Sequence, residues 1–189
     1  MLFFFALSLP AQPLTNLSVI SKLIENSTAK IDSSFLGKEK KISLVFFSVP
    51  SMQILKGDLI NSLIKRDFEI KTTGDESDVL NYTIENISVL YNNVEKEGLF
   101  GNVFVNRIVK LEGEYFITEN GKVIVSNRFT NTYKDTVNYD MIQRIENTEL
   151  PFTRGEVPGE PLFSNLVEPA IALGALIVTI ILFFTVRSR

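Results

Sequence analysis

Residues 170–186 read AIALGALIVTIILFFTV, an unbroken run without a charge that stops at Arg187 and Arg189. About 20 apolar residues at a 1.5 Å rise cross a ~30 Å hydrocarbon core. The run approaches that length, more so if Asn165, Leu166 and Val167 add a turn ahead of Pro169. Gly174, Thr179 and Thr185 are its only interruptions, and a helical Thr hydroxyl can bond back to its own helix, leaving no backbone group stranded in lipid. The sequence therefore predicts a single transmembrane helix over 169–187, with 188–189 as a cytoplasmic tail. A buried core helix fits less well, because the run lies at the chain's end, is apolar around its whole circumference and follows a Pro-rich stretch.

The other end carries a second apolar run. Residues 2–7 (LFFFAL), then Ser8, Leu9, Pro10 and Ala11, match the end of a secretory signal peptide, with an h-region and small residues near a cleavage site after Ser8 or Ala11. The h-region is short and no Lys or Arg precedes it. With 1–11 as signal peptide, the middle of the chain lies outside the cytoplasm and the final arginines inside, in keeping with the positive-inside bias.

Between these ends, residues 12–150 form one ordinary domain by size, and 151–168, with Pro151, Gly155, Pro158, Gly159 and Pro161, form a linker. The chain contains no Cys and no His. That excludes a disulfide framework, a thiolate metal site, a cysteine nucleophile and a lipidated amino-terminal Cys, and removes the commonest general base and zinc ligand. No catalytic, cofactor-binding or metal-ligating residues are assigned, and the chain reads as a non-enzyme. The net charge of −3 comes from interspersed signs, which leaves no basic stripe for nucleic acid. Sequons at Asn16, Asn26, Asn81 and Asn86 are read as coincidence in an Asn-rich chain.

Hydrophobic spacing orders the domain. Leu14, Leu17, Ile20, Leu23, Ile24 and Ile31 recur by threes and fours, predicting a helix capped at Thr15 or Asn16. Residues 42–49 (ISLVFFSV) predict a central strand covered on both faces. A second helix opens at Ser51 or at Gly57-Asp58 and reaches Lys65, with Ile54, Leu55, Leu59, Ile60, Leu63 and Ile64 recurring by threes and fours, and 68–72 form a short strand. Leu80, Tyr82 and Ile84 alternate, then Ile87, Val89 and Tyr91 alternate in the opposite phase. A β-bulge near Glu85 and Asn86 would keep both sets on one face. Long strands over 103–117 and 123–133 join at Asn120-Gly121, a type I′ turn signal with Glu119 facing Lys122. Val109, Leu111, Tyr115 and Ile117 form one apolar face, Ile108, Phe116, Val125 and Phe129 the other. Residues 139–147 predict a short third helix. The fold class is α+β: a two-layer α/β sandwich with a mixed sheet ending in a long antiparallel meander, plus the carboxy-terminal transmembrane helix.

The strand 42–49, the helix 52–65 and the paired strands 103–117 and 122–133 with their Asn-Gly turn give an element order that resembles bacterial envelope modules: the TolB amino-terminal domain, LptE and CsgG-like subunits. The resemblance implies protein partners in an envelope secretion, transport or assembly machine; with the topology read from the two apolar ends, the expected location is the bacterial inner membrane with the domain in the periplasm. The lipoprotein members carry a Cys to lipidate, which this chain lacks.

Gly98-Leu99-Phe100-Gly101 places two apolar side chains between glycines, and Leu99 and Phe100 are the candidate contact for a partner or a membrane, or fold back onto the sheet. Asp75, Glu76 and Asp78 do not match an EF-hand loop and read as a solvated acidic turn. Arg107 and Arg128 are each expected to pair with Glu112 or Glu114 across strands. The functional expectation is a membrane-anchored extracytoplasmic binding or assembly module. The alternative is an accessory single-span subunit of a larger membrane complex, its helix approaching others closely at Ala170, Gly174 and Ala175.

Overall fold

The computed structural model describes residues 12–35, 39–71, 78–98, 101–159 and 167–186. Its core is a mixed sheet of six strands with helices on one face, an α+β architecture. The order is α1 (Asn16–Ser34), β1 (Lys41–Phe47), a 3-10 helix (Pro50–Leu55), α2 (Lys56–Ile64), β2 (Glu69–Lys71), β3 (Asp78–Lys96), β4 (Val103–Glu119) and β5 (Lys122–Asn138). After these come a short α3 (Ile142–Ile145), β6 (Gly155–Glu156) and α4 (Val167–Val186). Across the sheet the strands run β2-β1-β3-β4-β5; β1 is parallel to β2 and β3, and the β3–β4–β5 meander is antiparallel.

Thr15 caps α1, its hydroxyl accepting from the Ser18 amide at 3.1 Å. Such a cap satisfies one of the amides a helix start leaves open. Asn16, the other expected cap, is instead the first helical residue and fully buried. Val19, Ile20, Leu23, Ile24 and Ile31 of α1 and Leu55, Leu59 and Leu63 beside and within α2 are also buried. Each such side chain contributes about 1.5–3 kcal/mol relative to exposure. Ile54 and Ile64, expected on the same face of the second helix, are exposed at 59 % and 54 %. Pro50–Leu55 winds as a 3-10 helix, so its side chains do not continue the helical stripe.

The bulge in β3 forms where the phase change in the sequence places it. Register shifts between Ile84 and Asn86, and Leu80, Tyr82, Ile84, Ile87, Val89 and Tyr91 all point into the core. Gly113 sits opposite the bulge. A Cβ there would lie 2.2 Å from the Thr83 carbonyl oxygen and 2.8 Å from the Phe129 ring, so the position has no room for a side chain. At the β4–β5 turn, Asn120 and Gly121 both have positive φ, 49° and 74°, as a type I′ turn requires, and Glu119 pairs with Lys122.

The fold departs from the sequence expectations in four further places. Strand β1 is not covered on both faces: Val45 and Phe47 are exposed at 36 % and 51 % on the side away from the helices. Val125 and Phe129 stand opposite Ile117 and Gly113 and share the helix-covered face, because a bulge between Ile117 and Thr118 shifts β5 by one residue. Part of the expected linker belongs to the domain, since Pro151–Thr153 forms a 3-10 helix with Phe152 and Thr153 buried, and Gly155–Glu156 pairs with Val89 and Leu90.

The fourth departure concerns the membrane span. Residues of α4 form a helix, but among the described residues no helix is long and apolar enough to cross a membrane. The expected span over 169–187 is thus met as a helix and not as a membrane-crossing element. Its aliphatic and aromatic side chains from Ile171 to Phe184 are exposed, Phe184 at 69 %. Thr179 and Thr185 donate to the Ala175 and Ile181 carbonyls, the back-bonding expected of them.

Candidate functional site

The most elaborate polar arrangement lies under the carboxyl end of β3. Period-two alternation puts Val105, Arg107, Val109 and Leu111 of β4 on the inner face, so Arg107 enters the core and is fully buried. Its Nε and Nη2 donate to the two Asp135 oxygens at 2.8 and 2.6 Å. Its Nη1 donates to the Leu14 carbonyl at 2.7 Å and to Asn16 Oδ1 at 2.8 Å. The Tyr133 ring lies 5.9 Å from the guanidinium carbon, within cation–π range. A buried guanidinium is tolerable only when paired and hydrogen-bonded in this way.

The network continues through Asn16, whose Nδ2 donates to Tyr91 Oη and to the Thr153 carbonyl, both at 2.7 Å. Burial pushes the Tyr91 phenol up to about 12; the Asn16 bond and the Arg107 charge oppose this, and nearby Glu146 reinforces it. Glu146 in turn accepts the Gly155 amide at 2.9 Å. Gly155 is tightly held: a Cβ there would lie 2.7 Å from the Val89 carbonyl oxygen and 2.9 Å from the Tyr91 ring. The cluster therefore joins the start of α1, three sheet strands and the departing carboxyl-terminal segment. Its polar groups are occupied in holding backbone together, and its chemistry is that of a clamp.

A second polar seam lies between the helices and the sheet. Ser27 donates to the Ile24 carbonyl at 2.6 Å, which leaves the Tyr82 hydroxyl to donate to Ser27 Oγ at 2.7 Å. Burial raises the Tyr82 phenol far above its usual range. Thr28 takes a bond from Arg66 Nε at 2.9 Å and lies 2.7 Å from Ser62 Oγ.

The open face of the sheet carries charged pairs on β3, β4 and β5. Arg128 meets Glu114, one of its two expected partners, at 3.3 Å and also Glu85 at 3.4 Å. Arg107 does not take its expected partners, Glu112 and Glu114: with strand alternation they occupy the opposite face of β4. Glu112 pairs instead with Lys110 at 2.7 Å and accepts from Asn86 at 3.1 Å, and the Lys110 contact chiefly holds its carboxyl below the usual value.

Leu99 and Phe100, the expected contact residues, lie outside the described residues, as do Asp75 and Glu76. Asp78 opens β3. Among the described residues no group of three or more His, Cys, Asp or Glu is placed to hold a metal ion. The buried Asn16 amide, occupied on both sides, cannot carry a glycan in the folded domain.

Sequence reasoning missed Asn16, Tyr91, Asp135 and Thr153 as one cluster. The available signal was Arg107 itself, a charge at an inward position of an otherwise apolar alternation.

No protein-family model matches the chain, and no curated protein matches it. Among solved structures, a minor lipoprotein from Acinetobacter baumannii aligns with a TM-score of 0.38 at 14 % identity, over 70 % of this chain and 87 % of its own. The rare lipoprotein B from Shewanella oneidensis aligns with a TM-score of 0.34 at 12 % identity, over 74 % of this chain and 98 % of its own. Both are bacterial lipoproteins by name.

Proposed function

We propose that the chain is a non-enzymatic binding or assembly module of the bacterial cell envelope, its α+β domain held at a membrane by α4. One observation carries the reading: apolar side chains along 169–185 of α4 are exposed, whereas the domain buries its own apolar residues in a continuous core. An apolar surface of that extent in water is costly, and a bilayer removes it. Attachment asks only that this apolar surface leave water, and α4 presents it along its length. With Thr179 and Thr185 bonded to their own helix, insertion strands no hydroxyl.

The amino-terminal LFFFAL segment and the arginines after α4 support placing the domain on the periplasmic side of the inner membrane. A role without catalysis is supported by the lack of His and Cys in the sequence and by the use of the buried polar groups in backbone clamps. Purification from membranes in a mild detergent tests the assembly role. A stoichiometric envelope protein should accompany the chain, and recovery as a solitary monodisperse monomer would count against it.

A further inference from the structure

We infer that the carboxyl end of β3, with the start of β4 and the end of β5, is the membrane-facing end of the domain, and that its occupant is the headgroup layer of the bilayer holding α4. The inference rests on the proposed membrane attachment and adds an orientation to it. The exit of the chain is fixed at three points. Gly155 and Glu156 pair with Val89 and Leu90 of β3, the Gly155 amide is held by Glu146, and the Tyr139 hydroxyl donates to the Pro158 carbonyl at 2.8 Å.

Because β6 runs parallel to β3, the chain leaves toward the end marked by Lys96, Val103 and Asn138, where β3 meets β4 and β5 gives way to Tyr139. From Gly159 to Val167 the chain has eight residue steps, a reach of at most about 28 Å fully extended. The opposite end of the meander, at Gly121, lies about 55 Å away along the 17 residues of β5. The exit end is therefore confined near the bilayer and the Asn-Gly turn can stand clear of it.

The charged part of the open face, on β3, β4 and β5, favours an upright stance over a flat one, although Val45 and Phe47 of β1 are exposed on the same side. The sheet's open face carries the Glu85, Glu112, Glu114, Lys110 and Arg128 charges, which stay best solvated away from lipid. Val157, 42 % exposed, follows β6 on the exit path; exposed apolar residues occur at the far turn as well, Val123 at 59 % and Ile124 at 42 %, so the exit path and not apolar exposure sets the orientation.

The chain has no native Cys, so single-Cys variants of the full-length protein report unique positions. Asp140→Cys and Gln143→Cys mark the exit end, Lys122→Cys marks the far turn, and all three sites are exposed. Leu176→Cys marks α4. Each is labelled with a small fluorophore and reconstituted into phosphatidylcholine–phosphatidylglycerol vesicles containing lipids with a spin label either on the headgroup or on the acyl chain.

Headgroup quenching is expected to be at least threefold stronger at 140 and 143 than at 122, with 176 quenched by the acyl-chain label. Equal quenching at 140, 143 and 122, or stronger quenching at 122, overturns the orientation while leaving attachment intact. A label at 176 that the acyl-chain quencher does not reach overturns the attachment itself, and the orientation with it.

Discussion

Arg107 and Asp135 face each other across β4 and β5 in a two-bond carboxylate–guanidinium pair, with Arg107 fully buried and the Asp135 side chain 23 % exposed. Removing the cation leaves a carboxylate, an amide oxygen and the Leu14 carbonyl without their donor. Arg107→Ala should therefore lower unfolding free energy by about 3–5 kcal/mol, the scale for breaking a buried pair. Replacing both partners with apolar residues, Arg107→Met with Asp135→Leu, should cost clearly less than the single change. Denaturant melts of the three variants test this, and additive effects would mean that the two residues do not act as a pair.

The tyrosines supply a pH prediction. Burial favours the neutral phenol of Tyr91, so the stability it brings is complete below its ordinary value of 10 and is lost as pH climbs through about 12. Tyr82 shifts in the same direction. In a spectrophotometric titration at 295 nm, part of the tyrosinate signal should appear only above the usual range. Tyr91→Phe should remove one late-titrating group.

Two glycines should respond oppositely to alanine. Gly113→Ala must displace the Thr83 carbonyl or the Phe129 ring and should cost about 1–3 kcal/mol, as overpacking does. Gly57, in α2 with nothing within 4 Å of a built Cβ, should gain about 0.4–1 kcal/mol through a less flexible unfolded chain. Thermal melts compare the pair directly.

Gly121→Val places a β-branched residue at φ 74° and should cost about 1–3 kcal/mol. The effect should appear as a lower melting temperature. An unchanged melt would contradict the type I′ turn.

How far the sequence foretells the fold depends on the range of the interaction. The β3 bulge, the Asn120-Gly121 turn and the Thr15 cap are set by neighbouring residues, and local pattern is enough to place them. The Arg107–Asp135 pair, 28 residues apart, depends on register. Counting back from Glu119 opposite Lys122 would set Arg107 against Lys134. The bulge at Ile117 and Thr118 shifts the count by one and brings Asp135 there instead.

Strand β1 is similar: its apolar run is visible in sequence, but whether a second layer covers Val45 and Phe47 is decided by where the rest of the chain packs. The folding of 151–156 onto β3 is likewise set by long-range contacts, Asn16 to Thr153 and Val89 to Gly155, with Pro and Gly giving only the appearance of a linker.

The central claim is that α4 attaches a self-sufficient domain to a bilayer. Alkaline carbonate extraction of membranes tests it most directly, comparing the full chain with one ending at Gly159. The account predicts that the full chain stays in the membrane pellet while the shortened chain is released and melts cooperatively as a folded domain. Release of the full chain to the same extent as the shortened one would contradict it.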